Sequence, residues 1–161
     1  MRSTSLPSFL VAAKAATYAA EKPVAAEPTF AGSHEFRFTQ GDLHYRDIYF
    51  GGFRFAGQEI VEDGSQPIWS MVYSGTILEN DMNQGNTDEN DDATEIYQFL
   101  KLALRQVSPA APYRGPDSFE SGKYRYTNQY AGDIRDFNGE ETICAGPLPV
   151  YRLHYSGGYL R

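Results

Sequence analysis

The sequence predicts a single α+β domain over residues 1–161, with two helices packed on six to eight antiparallel strands in an internally duplicated helix-plus-meander unit. Three observations predict it. The helical period of apolar residues occurs twice, once near the start and once past the middle. Each occurrence is followed by a Pro/Gly connection and then by strand-length segments divided by turn residues. The 12 Tyr and 10 Phe in 161 residues favour a pleated, half-buried surface over helix.

Residues 7–20 read as the first helix, with Pro7 in its first turn and Phe9, Leu10, Ala13, Ala16, Thr17 and Ala20 on one stripe. Pro23, Pro28 and Gly32 make residues 21–33 an extended connection. Strand signals follow: a weak alternation over 34–38, then 43–50, 53–62 and 67–78, divided by Gly41-Asp42, Gly51-Gly52 and Asp63-Gly64-Ser65. The acidic stretch 79–92 lacks an apolar anchor and reads as a loop. The helical period returns over 93–107 with Ile96, Phe99, Leu100, Ala103, Leu104 and Val107 on one face. Pro109 to Pro116 form a second extended connection, and strand signals run from Lys123 to the end.

Phe55–Leu78 laid over Phe137–Leu160 gives nine identities in 24 positions without a gap. They include Gly57 with Gly139, Glu59 with Glu141, Pro67 with Pro149, and Tyr73-Ser74-Gly75 with Tyr155-Ser156-Gly157. Trp69 meets Tyr151, and, with a one-residue shift, Tyr45, Asp47 and Tyr49 meet Tyr126, Asn128 and Tyr130. The expected organisation is therefore copy one over 7–78, the acidic loop over 79–92 and copy two over 93–161. One copy alone would leave an apolar sheet face bare, so the two should pack together as one sheet or a partly closed barrel.

The net charge of −7 comes from one place: seven acidic residues lie between Glu79 and Glu95, where there is no Lys or Arg. No basic face exists to follow a phosphate backbone, so nucleic acid is not an expected partner. No apolar run approaches the ~20 residues of a membrane span, so a membrane is not expected either. The single Cys144 excludes an intrachain disulfide and points to a reducing, cytoplasmic location. Residues 9–16 have the small residues of a signal peptide, but Lys14 splits the apolar run and the segment matches the later helix, so it is expected to belong to the fold.

Glu59 and Glu141 each fall on the apolar face of a predicted strand. A buried carboxylate needs a partner or a raised pKa, so this pair is either part of a pocket or a structural tie to a turn or an Arg. Its presence in both copies favours the structural side. Beside Tyr45, which recurs as Tyr126, the copies differ, since Arg46 becomes Thr127 and Asp47 becomes Asn128. Trp69 also occurs once. Arg114 sits on the stiff second connection, where it could pair with Glu59, Glu141 or a ligand acid. His34, His44 and His154 lack zinc-ligand spacing, the acidic loop lacks the order of a calcium loop, and neither a metal nor a cofactor is expected.

Tyr45-Arg46-Asp47-x-Tyr49-x-Gly51-Gly52-x-x-Phe55-x-Gly57-x-Glu59, followed by Trp69-Ser70-Met71-x-Tyr73-x-Gly75, resembles the bacterial and archaeal domain of unknown function 5680 family. Tyr113-Arg114-Gly115-Pro116, Phe137-x-Gly139-x-Glu141 and Tyr155-x-Gly157-Gly158 fit the same pattern, which runs from about Phe9 to Leu160. Some relatives join this domain to a helix-turn-helix, so the resemblance implies a sensing or interaction module. The segment before Phe9 leaves no room for such a helix-turn-helix, and a regulator role is not expected. The acidic insertion departs from the family's pattern.

These readings favour a ligand-binding or sensing module whose aromatic pocket lies near Tyr45, Arg46, Asp47, Glu59, Trp69, Arg114 and Glu141, with a small molecule as its partner. A small enzyme using Glu59 or Glu141 as general base is one alternative. A structural homo-oligomer, dimeric through edge strands, is another.

Overall fold

The computed structural model of the chain describes residues 5–78 and 89–160. Helix α1 (Leu6–Ala16) starts where Ser5 caps it, its hydroxyl oxygen accepting from the Ser8 amide at 3.5 Å, with Pro7 in the first turn where an N–H is dispensable. Phe9, Leu10 and Ala13 are fully buried. Each of the two large side chains contributes about 1.5–3 kcal/mol by leaving water. The helix stops short of the expected residue 20, because the amides of Thr17 and Ala19 both turn back to the Lys14 carbonyl.

Helix α2 (Glu89–Leu104) begins earlier than Ala93. Residues 89–92, expected to be loop, are helical. The rest of the expected acidic loop, 79–88, lies outside the described residues. The helix ends before the expected residue 107. The Gln106 and Val107 amides tighten onto the Ala103 and Leu104 carbonyls, and Pro109 disfavours further helix.

The strands are β1 (His34–Gln40), β2 (Leu43–Gly51), β3 (Arg54–Asp63), β4 (Gln66–Ile77), β5 (Ser118–Ser121), β6 (Tyr124–Asp133), β7 (Asp136–Ala145) and β8 (Leu148–Tyr159). They form one antiparallel sheet in the order β1-β2-β3-β4-β8-β7-β6-β5, open at β1 and β5 rather than closed into a barrel. Strand β5 precedes the expected start at Lys123. It is four residues long, too short for alternation to reveal.

The pairing of the first four strands reappears in the last four. Phe55 pairs with Gly75 as Phe137 pairs with Gly157, and Leu43 with Asp63 as Tyr124 with Ala145. A bulge follows Val61 in one half and Ile143 in the other. The halves meet at β4 and β8, where Tyr73 faces Tyr155. α1 packs on β1 and β2, and α2 on β5 and β6. Both lie on the face that carries Val61, Trp69, Met71, Phe137, Ile143, Tyr151 and Leu153, the core of the molecule. The other face is polar, with pairs such as Gln58 to Ser70 and Glu140 to Arg152 and His154.

Candidate functional site

Strand alternation puts Tyr45, Asp47 and Tyr49 of β2 on the helix side, next to Phe55 and Glu59 of β3 and Tyr73 of β4. Asp47 and Glu59 are direct cross-strand neighbours. Above them α1 brings down Lys14, four residues after Leu10 and so on the buried side of the helix. Its ammonium donates to both Glu59 carboxylate oxygens, at 2.7 and 2.5 Å. The Tyr73 hydroxyl donates to Asp47 Oδ1 at 2.6 Å. That hydroxyl gets there because Gly57 faces Tyr73 across the strand pair. A Cβ at Gly57 would stand 2.5 Å from the Tyr73 oxygen and 2.6 Å from the Ile48 carbonyl oxygen.

The second half closes the corresponding place. Arg114 forks onto Glu141, with Nη2 donating at 2.6 Å and Nε at 3.2 Å. The hydroxyls of Tyr126 and Tyr151 donate to the same carboxylate at 2.6 and 2.8 Å. Asn128 stands where the first half has Asp47. It accepts from Tyr155 at 2.8 Å and donates to the Gly115 carbonyl at 3.1 Å. Tyr113 packs its ring 4.2 Å from that of Phe137, so the second connection is tucked into the core. The first connection stays outside: Val24 and Phe30 are exposed. Its fixed point is Glu35, which accepts from the Thr29 amide and hydroxyl and from Ser33.

A cavity of about 360 Å³ occupies the first half, between the two helices and the sheet. Lys14, Asp47, Glu59 and Arg114 reach it, and its walls include the rings of Tyr18, Tyr45, Tyr49, Phe55, Tyr73 and Tyr97. The Arg114 guanidinium lies 5.6 Å from the centre of the Tyr73 ring, so it touches both halves.

Burial sets the electrostatics. Removal from water, reinforced by the Glu59 charge, pushes the Asp47 carboxyl up to about 7, with the Tyr73 hydrogen bond and Lys14 opposing. Burial also lowers Lys14, against the pull of Glu59. Burial opposes the charge on Arg114 as well, but Glu141 outweighs it and holds the guanidinium well above its ordinary value. The Tyr45 and Tyr73 phenols are raised by burial and by the neighbouring carboxylates.

Of the residues singled out in the sequence, Tyr45, Asp47, Glu59 and Arg114 come together at the cavity. Glu141 lies behind Arg114 and is fully buried. Trp69 is core: it stacks on Phe137 at 5.8 Å, and its indole N–H is buried without a hydrogen-bond partner among the described residues. Arg46 is exposed on the other face of the sheet, as strand alternation requires for a residue between Tyr45 and Asp47. Lys14 was not among the expected site residues. Its signal was its spacing four residues after Leu10 and three before Thr17, which puts it against the α1 stripe, where a lone cation among apolar residues implies a buried anion.

Among the described residues no three His, Cys, Asp or Glu side chains gather as a metal site, and no helix is long and apolar enough to cross a membrane. Comparison with curated proteins and with solved structures gives no match. The family described as Domain of unknown function (DUF5680) matches residues 47–160, a span that holds Asp47, Glu59, Tyr73, Arg114 and Glu141 and leaves out α1. With most of its length covered by that match, the chain belongs to the DUF5680 family.

Proposed function

We propose that this domain binds a small molecule in the first-half cavity and serves as a ligand-binding or sensing module. The observation that carries the reading is the cavity itself, lined by aromatic rings around a few buried polar groups, in one half of a fold whose other half has Arg114 and Asn128 buried at the equivalent place. Ligand pockets have this composition and commonly hold roughly 300–1,000 Å³. A fragment screen by thermal shift tests it, run on the wild-type chain and on Leu104→Trp, which fills the cavity from α2. Binders should raise the melting temperature of the first and not of the second. Binders that stabilise both chains alike, or none in the screen, overturn the reading.

One observation favours an acid–base enzyme as a second reading. It is the Asp47 carboxyl at about 7, because a general base works best near the ambient pH. The group with this property is Asp47. Glu59 and Glu141, expected in that role from the sequence, are each held by a cation. Turnover lost in Asp47→Asn with binding retained would distinguish an enzyme from a binder.

A further inference from the structure

We infer that the cavity takes a cationic ligand, an amine or amidinium on an aromatic or alicyclic body, whose charge pairs with Asp47. This rests on the small-molecule reading above and specifies its ligand. The buried charges on the helix side of the sheet are Lys14, Asp47, Glu59, Arg114 and Glu141. Two of the three carboxylates touch a cation: Glu59 has Lys14 and Glu141 has Arg114. Asp47 has the Tyr73 hydroxyl as its one hydrogen-bond partner among the described residues. With all five groups ionised the cluster carries one surplus negative charge.

A proton on Asp47 removes that surplus. A ligand cation would replace the proton and gain Coulomb attraction in surroundings that screen weakly. An anion would meet Lys14 and Arg114 already bonded to carboxylates and two carboxylates repelling it; the third cation of the lining, Lys101, is only half-buried and stands over the Tyr18 ring. The walls suit a cation as well, since Tyr45, Tyr49, Phe55 and Tyr73 offer ring faces. The second half removes the surplus by sequence instead, with Asn128, whose amide is committed to the Gly115 carbonyl. Beside the paired glutamates, the buried position that is charged in one half and neutral in the other is the one that opens on the cavity.

Isothermal titration calorimetry on the full chain tests the inference with phenethylamine, 2-phenylethanol and 3-phenylpropanoate. Asp47 is faced by Lys14 of α1, Glu59 of β3, Tyr73 of β4 and Arg114 of the second connection, while His34 of β1 and Lys101 of α2 line the same cavity. The titrations are therefore repeated in Asp47→Asn and His34→Gln. At about pH 8 the amine should bind at least tenfold tighter than the alcohol, and about thirtyfold weaker at about pH 5.5, as Asp47 takes up its proton. Asp47→Asn should erase the preference for the amine while keeping the alcohol, and His34→Gln should keep the pH profile. An amine preference that survives Asp47→Asn, or a pH profile lost in His34→Gln, overturns the inference. If the alcohol binds as tightly as the amine, the cation inference falls and the small-molecule reading stands. If none of the three binds at millimolar concentration, both fall.

Discussion

Replacing Asp47 by Asn should stabilise the domain, and more so as the pH rises. The folded chain holds the Asp47 carboxyl at about 7 against an ordinary 3.8. Between those values the folded state keeps a proton that the unfolded state releases, so stability falls with rising pH across that window. At about 1.4 kcal/mol per pH unit the loss reaches roughly 4 kcal/mol by about pH 8. The amide of the Asp47→Asn variant would carry no such penalty and could still accept from Tyr73, as Asn128 accepts from Tyr155 in the second half. Part of the gain is offset, because an ionised Asp47 also helps hold the charge on Lys14. The net gain expected for Asp47→Asn at pH 8 is therefore about 2–4 kcal/mol, shrinking to near zero at about pH 4.

Urea unfolding followed by the fluorescence of Trp69, buried against Phe137, measures this at a series of pH values. The other carboxylates titrate in both proteins, so the difference between the two curves isolates Asp47. A flat difference, or an Asp47→Asn chain less stable than wild type at pH 8, would refute the reasoning.

Two further substitutions address the scaffold. Glu141→Gln leaves the Arg114 guanidinium buried without a counter-charge and should destabilise by about 3–5 kcal/mol in urea, whereas Arg114→Met with Glu141→Leu should recover most of it. If the double variant is as unstable as the single one, packing rather than charge dominates there. Gly57→Ala forces the Tyr73 hydroxyl away from Asp47 and should destabilise by about 1–3 kcal/mol. An unchanged urea midpoint would show that the strand pair absorbs the methyl group.

Two helices and the strands and hairpin turns of the first half were legible because each rests on local periodicity and turn chemistry, while the total was bounded only at six to eight and the short β5 was missed. The contacts that make the site were less so. Strand alternation alone places Tyr45, Asp47 and Tyr49 on one side and Arg46 on the other, so the exposure of Arg46 was readable from its neighbours. Trp69 differs between the halves for a packing reason, since it fills the core against Phe137. The Lys14–Glu59 pair joins residues 45 positions apart through a helix-to-sheet contact, which periodicity on either element does not specify. Helix ends moved for similar reasons, as α1 stops where backbone amides turn back on Lys14.

The two halves also explain why the cavity lies where it does. Glu141 receives four hydrogen bonds, two from Arg114 and one each from Tyr126 and Tyr151, and that convergence draws the connection and both rings into the space above it. Among the described residues, the side chain of Glu59 receives its bonds from Lys14 alone. Tyr45 and Trp69, which stand where the second half has Tyr126 and Tyr151, do not join in. A single lysine reaching down from α1 neutralises the charge without filling the volume. The first connection is meanwhile held outside by Glu35, so nothing from it enters the gap. With fewer donors around its glutamate and one carboxylate lacking a cation, the first half leaves its buried polar groups less well satisfied than the second does, and uncompensated costs of this kind cluster at functional sites.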